Sequence, residues 1–156
     1  LDFEAHVGAD SLVARFARGV KLFSKQLRNE DFNMDTISSQ LPPFRLQATA
    51  GRKNILNNYL KLQGISFKTF SLDALLKDST PISARMVVYQ LTSGSIRLDT
   101  LTFSLRQQRK QLNYLLRLAN HPGNLDNVGM IALYGNIAGD RAILNCLQKS
   151  RSGEEG

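Results

Sequence analysis

From Gly64 to its end, the sequence consists of short runs of alternating apolar and polar residues that are separated by polar turns. Alternation with a period of two is typical of β-strands, because successive side chains of a strand point to opposite faces of its sheet. No further long segment in this part has the 3.6-residue period of an amphipathic helix. We therefore predict that residues 64–156 form repetitive antiparallel strands.

Two pairs of segments in this region resemble each other. Residues 65–72 and 96–103 both read apolar-x-apolar-charged-Thr-apolar-x-apolar, so the alternation slips by one residue at the charged-Thr pair. Such a slip turns the following side chains to the other face unless a bulge or bend absorbs it, and we predict a kink at both places. Residues 86–94 and 131–139 both have a Tyr and a Gly five residues apart. The pairs predict a repeated unit of a hairpin and a kinked strand, although strand-rich sequences also produce such likenesses by chance.

Polar turns divide this region into strands. Predicted turns lie at Ser93-Gly94-Ser95, His121-Pro122-Gly123-Asn124 and Gly139-Asp140. The basic run at 106–110 contains no aromatic residue, so we interpret it as a charged turn rather than a nucleic-acid contact. A last strand is predicted at 143–148.

The clearest helix lies near the N-terminus, where either Asp10 or Ser11 can cap it. Its apolar residues occupy one face, and its basic residues occupy the opposite face. The apolar set is Leu12, Val13, Phe16, Val20, Phe23 and Leu27, and the basic set is Arg15, Arg18, Lys21, Lys25 and Arg28. Such a helix can bind a membrane surface or a partner, but we favour a helix that covers a sheet and keeps its charges in water.

A second, shorter helix is predicted over residues 54–62. Its main apolar stripe consists of Ile55, Tyr59 and Leu62. Strands are predicted before and after the first helix, at 1–9 and 44–50. The predicted fold class is therefore α+β. Residues 1–63 form an α/β unit in which two amphipathic helices pack on a sheet, and residues 64–156 form an open, groove-like sheet of repetitive antiparallel strands.

The composition indicates a folded chain without recognisable catalytic chemistry. With 42% hydrophobic and 21% charged residues, it is typical of soluble globular proteins. His6 and His121 are the only histidines and Cys146 is the only cysteine, so the sequence offers no ligand set at metal-binding spacing. We interpret Cys146 as a thiol packed in a strand. We expect a protein that is not an enzyme and uses no cofactor or metal, although a catalytic site assembled from distant residues stays open.

Charge and chain ends give weaker indications. The net charge of +7 is compatible with a nucleic-acid partner, an acidic lipid surface or simple solubility. The chain begins at Leu1 without a Met and ends in a turn-like sequence, and we interpret it as a piece of a longer protein.

Segments of the β-rich region resemble the repeats of the TamB (translocation and assembly module) family, which belongs to the AsmA-like superfamily. The resemblance is carried by Gly94–Gln107, Leu112–Asn120 and Leu133–Ile137, and most of residues 55–150 share this pattern of short strand-like segments. It implies a periplasmic portion of a Gram-negative envelope protein that is anchored in the inner membrane. It also implies a long β-sheet groove with an apolar interior that passes lipids towards the outer membrane. The implied partner is an outer-membrane barrel protein.

The resemblance carries over no catalytic residues. The helices and Pro42-Pro43 depart from a plain groove and suggest an α/β insertion within residues 1–63. In the β-rich part, an alternating strand presents one apolar face, which can hold phospholipid acyl chains if no second layer covers it. Candidates for the lining of this groove are Phe67, Leu72, Val87, Tyr89, Leu98 and Phe103. The alternative is that the helices cover this face as the core of an ordinary α+β domain.

Two functional hypotheses follow. The first is a non-catalytic fragment, monomeric on its own and without a nucleic-acid partner, that contributes a β-groove to lipid transfer, outer-membrane biogenesis and protein translocation. The alternative is a basic α+β module that binds nucleic acid, motivated by the charge of +7, whose binding would weaken as salt is raised.

Overall fold

The structure is a computed structural model that describes residues 2–5, 9–29, 32–77, 80–122 and 128–151. These residues form three helices and an open antiparallel sheet, so the predicted α+β class is confirmed. The strands are β1 (Asp2–Ala5), β2 (Phe44–Gly51), β3 (Ile65–Ser66), β4 (Thr69–Lys77), β5 (Thr80–Ser93), β6 (Ile96–Gln108), β7 (Gln111–Asn120), β8 (Val128–Ala138) and β9 (Arg141–Ser150). The helices are α1 (Ala9–Arg28), α2 (Met34–Gln40) and α3 (Ile55–Lys61).

The strands follow a simple topology. They lie side by side in the order β1-β2-β4-β5-β6-β7-β8-β9, and the short β3 pairs with the end of β5. From β4 onwards, each strand is antiparallel to the next strand along the chain. Because β2 pairs with β4 across the predicted boundary between residues 63 and 64, both predicted segments contribute to one sheet.

Both predicted kinks are present, in two different forms. In the first segment, Phe67 and Lys68 interrupt the strand between β3 and β4. In the second segment, β6 stays continuous, but its pairing with β7 shifts between Leu98 and Thr100. Gln90 of β5 lies beside this shift and has a φ of 50°, so β5 bends at the same level. Each kink keeps the apolar residues on both of its sides directed to one face.

Left-handed residues mark three of the turns. Gly94 and Gly139 have φ values of 56° and 57° and connect β5 to β6 and β8 to β9, where hairpin turns were predicted. Arg109 has a φ of 54° in the connection between β6 and β7, so Arg109 and Lys110 form a turn, whereas residues 106–108, predicted as part of the same turn, belong to β6. Gly123 and Asn124 of the remaining predicted turn lie outside the described residues.

One helix was missed by the sequence analysis. The helix α1 matches the predicted basic amphipathic helix, whereas α2 has only 7 residues and was not predicted. The side chain of Asn33 caps α2 by accepting from the amides of Asp35 and Thr36, at 3.1 and 3.4 Å. A helix of this length shows too few residues for a periodicity to stand out.

The helix α3 lies where it was predicted, but its apolar stripe does not pack on the sheet. Instead, Asn57 is the residue that α3 buries. The Asn57 side chain accepts from the amide of Phe67 at 3.2 Å and donates to the carbonyl of Phe67 at 2.8 Å. Because Phe67 lies in the gap between β3 and β4, these bonds satisfy backbone groups that strand pairing leaves free. The prediction that this helix packs through its apolar side is therefore wrong.

Among the described residues, the hydrophobic core cluster lies at one end of the sheet. It consists of Phe32, Met34, Ile37 and Leu112, and partly buried residues such as Phe23, Ile82 and Leu105 pack against it. Backbone hydrogen bonds join this core to the turns, from Met34 to Lys110 and in both directions between Phe32 and Gly139. We call this end, where the β6–β7 and β8–β9 turns lie, the helical end. The opposite end, near α3 and the β5–β6 turn, is the α3 end.

The molecule exposes more surface than a compact protein of its mass. Its accessible surface is 10481 Å², and its mass is 17.4 kDa. A compact monomer of that mass exposes about 7,900 Å².

Candidate functional site

A continuous row of apolar residues crosses the sheet from β4 to β9. Each of its members pairs in direct register with the next, and directly paired residues point to the same face. The row consists of Leu72, Met86, Phe103, Leu116, Leu133 and Cys146.

Two further rows flank it on the same face, because residues two positions apart in a strand point the same way. Towards the α3 end, the row consists of Phe70, Val88, Leu101, Leu118 and Ile131. Towards the helical end, it consists of Ala74, Ala84, Leu105, Tyr114, Gly135 and Leu144. We call these three rows together the apolar face.

The opposite side of β4, β5 and β6 has a different character. It presents threonines, serines and charged residues, and Asp73 accepts from Gln47 Nε2 at 2.8 Å. These residues include Thr69, Ser71, Asp73, Ser83, Arg85, Thr100, Thr102, Ser104 and Arg106. We call this side of the three strands the polar face. The alternation of apolar and polar residues in these strands therefore gives the sheet two chemically distinct faces.

The helices of the described chain contact the sheet at its two ends. The core at the helical end reaches the apolar face at Leu105, and α3 contacts β2 and β3. Between the ends, Leu101, Phe103 and Leu116 are half-buried, although they lie in central strands. The middle of the apolar face is therefore partly open along β6 and β7 in the part of the chain that the structure describes, whereas Val88 of β5 is buried.

The six predicted lining residues do not share one surface. Leu72 and Phe103 belong to the central row, and Leu98 lies on the same face beyond the kink in β6. Val87 and Tyr89 lie on the polar face, where Val87 pairs with Ser71 and Thr102. They do not share the face of Leu72 and Phe103, because each lies one residue along β5 from Met86 or Val88, which point to the apolar face.

Phe67 does not line an open surface either. It is buried, it is held by Asn57 of α3, and its ring centroid lies 6.1 Å from that of Phe70. It supports the α3 end instead of facing a ligand. Most of the apolar face was not predictable from the sequence, because the register of the strands decides which residues lie side by side across the sheet.

A cationic cavity of about 510 Å³ lies at the helical end. Among the described residues, three cations line it, Arg15, Lys77 and Arg109, together with the carboxylate of Asp35. Gln107 also lines the cavity, and two hydrogen bonds fix its side chain. Its Nε2 donates to Asp35 Oδ1 at 2.8 Å, and its Oε1 accepts from the amide of Ile82 at 3.2 Å. The balance of three cations and one anion makes this cavity suitable for a negatively charged group.

Cys146 is exposed, which contradicts the prediction of a packed thiol. It lies on the apolar face in the outer strand β9, where neither a helix nor a further strand of the described chain covers it. His121 Nδ1 lies 2.7 Å from Asp99 Oδ1, and no group of three or more metal-ligating side chains forms among the described residues. His6 lies outside the described residues.

No helix in the described ranges is both long and apolar enough to cross a membrane.

Comparisons with known proteins found no match to this chain among protein-family models, curated proteins or solved structures.

Proposed function

We propose that this chain holds phospholipid acyl chains on its apolar face, as a non-catalytic part of a TamB-like envelope protein. The partly open middle of the apolar face along β6 and β7 is the observation that supports the proposal. In this proposal the chain lies in the periplasm and belongs to a protein that is anchored in the inner membrane. It contributes to lipid transfer and outer-membrane biogenesis together with an outer-membrane barrel protein.

The size of the apolar face suits an acyl chain. Neighbouring strands of a sheet lie about 4.8 Å apart, so the rows from β4 to β9 extend over roughly 24 Å. Each methylene group that leaves water contributes about 0.8 kcal/mol. An acyl chain that lies along a row therefore gains affinity from every residue that it passes, and it needs no covalent step or cofactor.

Two adjacent leucines of β7 provide the matched test of this proposal. Leu116 lies on the apolar face, and Leu115 points to the opposite side. The chain and its variants would be mixed with phosphatidylethanolamine and a single-stranded oligonucleotide, and native mass spectrometry would detect which of the two each protein retains. We expect the original chain and Leu115→Asn to retain the phospholipid and Leu116→Asn to lose most of it. Equal retention by both variants, or no retention by the original chain, would contradict the proposal.

A nucleic-acid-binding function is the second candidate, and the polar side of the sheet favours it. Exposed arginines occur there together with exposed tyrosines, a combination that can contact phosphates and stack on bases. These residues are Arg85, Arg106, Arg117, Tyr89 and Tyr134. In the same experiment this function predicts retention of the oligonucleotide, its loss in Arg85→Ser with Arg117→Ser, and weaker binding as salt is raised.

A further inference from the structure

The helix α3 exposes a contiguous apolar stripe. Ile55, Tyr59 and Leu62 are 84%, 62% and 81% exposed, and Leu56 beside them is 39% exposed. Residues at positions i, i+4 and i+7 lie on one side of a helix. We call these four residues the α3 patch. Monomeric soluble proteins rarely expose such a group of large apolar side chains without a partner.

The orientation of α3 is fixed, so the exposure of the patch is a built-in property of the fold. Asn57 is fully buried and holds both backbone groups of Phe67. Its Nδ2 also lies 3.2 Å from the carbonyl oxygen of Arg52, which precedes the helix. A rotation that buried the patch would break these bonds and leave the buried backbone groups of Phe67 unpaired.

The charge around the patch indicates the kind of partner. From Thr36 to Leu72 the sequence contains no Asp and no Glu. Four cations of this stretch lie at the α3 end, which are Arg52, Lys53, Lys61 and Lys68, whereas Arg45 lies towards the other end of β2. Lys53 and Lys61 are exposed at the two ends of α3, Lys53 just before its first turn and Lys61 in its last turn. Apolar side chains bordered by cations suit the surface of a bilayer that contains anionic lipid, where a tyrosine also prefers the headgroup level.

We propose that the α3 patch docks on the surface of a bilayer with anionic headgroups. The apolar side chains enter the headgroup region, and Lys53 and Lys61 contact the lipid phosphates. This docking is separate from the holding of acyl chains on the apolar face. It would hold the α3 end of the sheet against a membrane.

The binding experiment compares vesicles of phosphatidylcholine with vesicles of phosphatidylcholine and phosphatidylglycerol. We expect the full chain to sediment with the anionic vesicles and at least about tenfold less with the neutral ones. Ile55→Ser with Leu62→Ser, and Lys53→Glu with Lys61→Glu, should each lower binding by a similar factor. Ile143→Ser is the matched apolar control, because Ile143 is 48% exposed on β9 and points away from the apolar face. Lys21→Glu, on the basic helix α1, is the charge control, and both controls should bind normally.

A fluorescence measurement reports on the helix itself. The chain contains no tryptophan, so Tyr59→Trp introduces a single emitter into the patch. We expect its emission to shift to the blue on anionic vesicles and not on neutral ones. Because every substituted side chain is exposed, circular dichroism should show an unchanged fold for all variants.

Four outcomes would overturn the proposal. They are no binding of the original chain to anionic vesicles, equal binding to both kinds of vesicle, full binding by the patch variant, and an unshifted tryptophan emission. Loss of binding in Lys21→Glu alone would assign the membrane contact to α1 instead. Sedimentation velocity tests the remaining alternative, which is that the α3 patch joins two copies of the chain. A dimer that Ile55→Ser with Leu62→Ser dissociates, together with no vesicle binding, would show that the patch joins two copies of the chain.

Discussion

The phenol of Tyr114 donates a hydrogen bond of 2.8 Å to the carbonyl oxygen of Ile143, and it reaches this atom over Gly135. Gly135 is the strand neighbour of Tyr114, and a Cβ atom at this position would lie 2.9 Å from the Tyr114 hydroxyl. It would also collide with the carbonyl of Ile143. The aromatic side chain thus occupies the space that the glycine leaves and ties β7 to β9 across β8.

This contact makes the position of Gly135 sensitive to any added side chain. We expect Gly135→Ala to lower the free energy of unfolding by about 1–3 kcal/mol, because either the Ile143 backbone or the tyrosine must move. Urea unfolding measures the loss, and hydrogen exchange should show weaker protection in β9. Gly51→Ala is the matched control, since a Cβ at Gly51 meets nothing within 4 Å. Equal stabilities of the two variants would contradict this account.

Two adjacent asparagines test how α3 is held. Asn57 is buried and bonds to the backbone of Phe67, whereas Asn58 is exposed. We expect Asn57→Ala to cost about 1–3 kcal/mol in urea unfolding, because the amide and carbonyl of Phe67 lose their partner in a buried place. Asn58→Ala should leave the unfolding midpoint nearly unchanged. The account fails if both substitutions cost the same.

For α3, the sequence predicted the helix but not which of its sides is buried. The helix itself was predictable from its spacing and from the glycine that follows it. The spacing of Ile55, Tyr59 and Leu62 suggested a buried stripe, because apolar stripes of helices usually face a core. The deciding contact is that of Asn57 with Phe67, across the gap between β3 and β4. No local pattern reveals which polar residue meets a free backbone group.

The sheet shows the same limit at the level of single residues. Strands, turns and both kinks followed from alternation and its slips, which are local properties. In the run Met86-Val87-Val88-Tyr89, every residue is apolar or aromatic, so alternation cannot say which two point to the apolar face. Pairing with Leu72 and Phe103 decides it for Met86. Register depends on partners that are distant in sequence, and therefore the sequence alone could not show that Val87 and Tyr89 point away from the face of Leu72 and Phe103.

Gln107 provides a prediction that depends on pH. Its amide donates to Asp35 Oδ1 at 2.8 Å. Gln107→Glu replaces this donor by a second carboxyl group. Burial and the Asp35 carboxylate at contact distance should raise the pKa of the introduced group above its value in the unfolded chain, because they act more strongly than the cations of the same cavity, of which Lys77 and Arg109 are exposed. A raised pKa means that the folded state binds more protons, so the stability of the variant should fall as pH rises.

The measurement is urea unfolding of Gln107→Glu between about pH 4 and pH 7. We expect the variant to approach the original chain at the acidic end and to fall behind it by about 1–3 kcal/mol at neutral pH. Gln108→Glu is the control, because Gln108 is exposed in the next position of β6. A variant whose deficit stays constant with pH would show that the introduced carboxyl does not remain close to Asp35.

Cys146 offers a direct probe of the apolar face, because it is the only cysteine, it is exposed, and it pairs with Leu133 in the central row. A polarity-sensitive fluorophore attached to its thiol should shift its emission to the blue when phospholipid is added, since an acyl chain on the row excludes water from the dye. The matched control moves the thiol by one residue in the double variant Cys146→Ser with Asn145→Cys. Asn145 points to the other side of β9, where it donates to the carbonyl of Tyr134 at 3.3 Å. We expect the labelled control to respond weakly. A shift of equal size at both positions would indicate that lipid coats the protein without preference for a face, and it would remove the support for a lipid-holding surface.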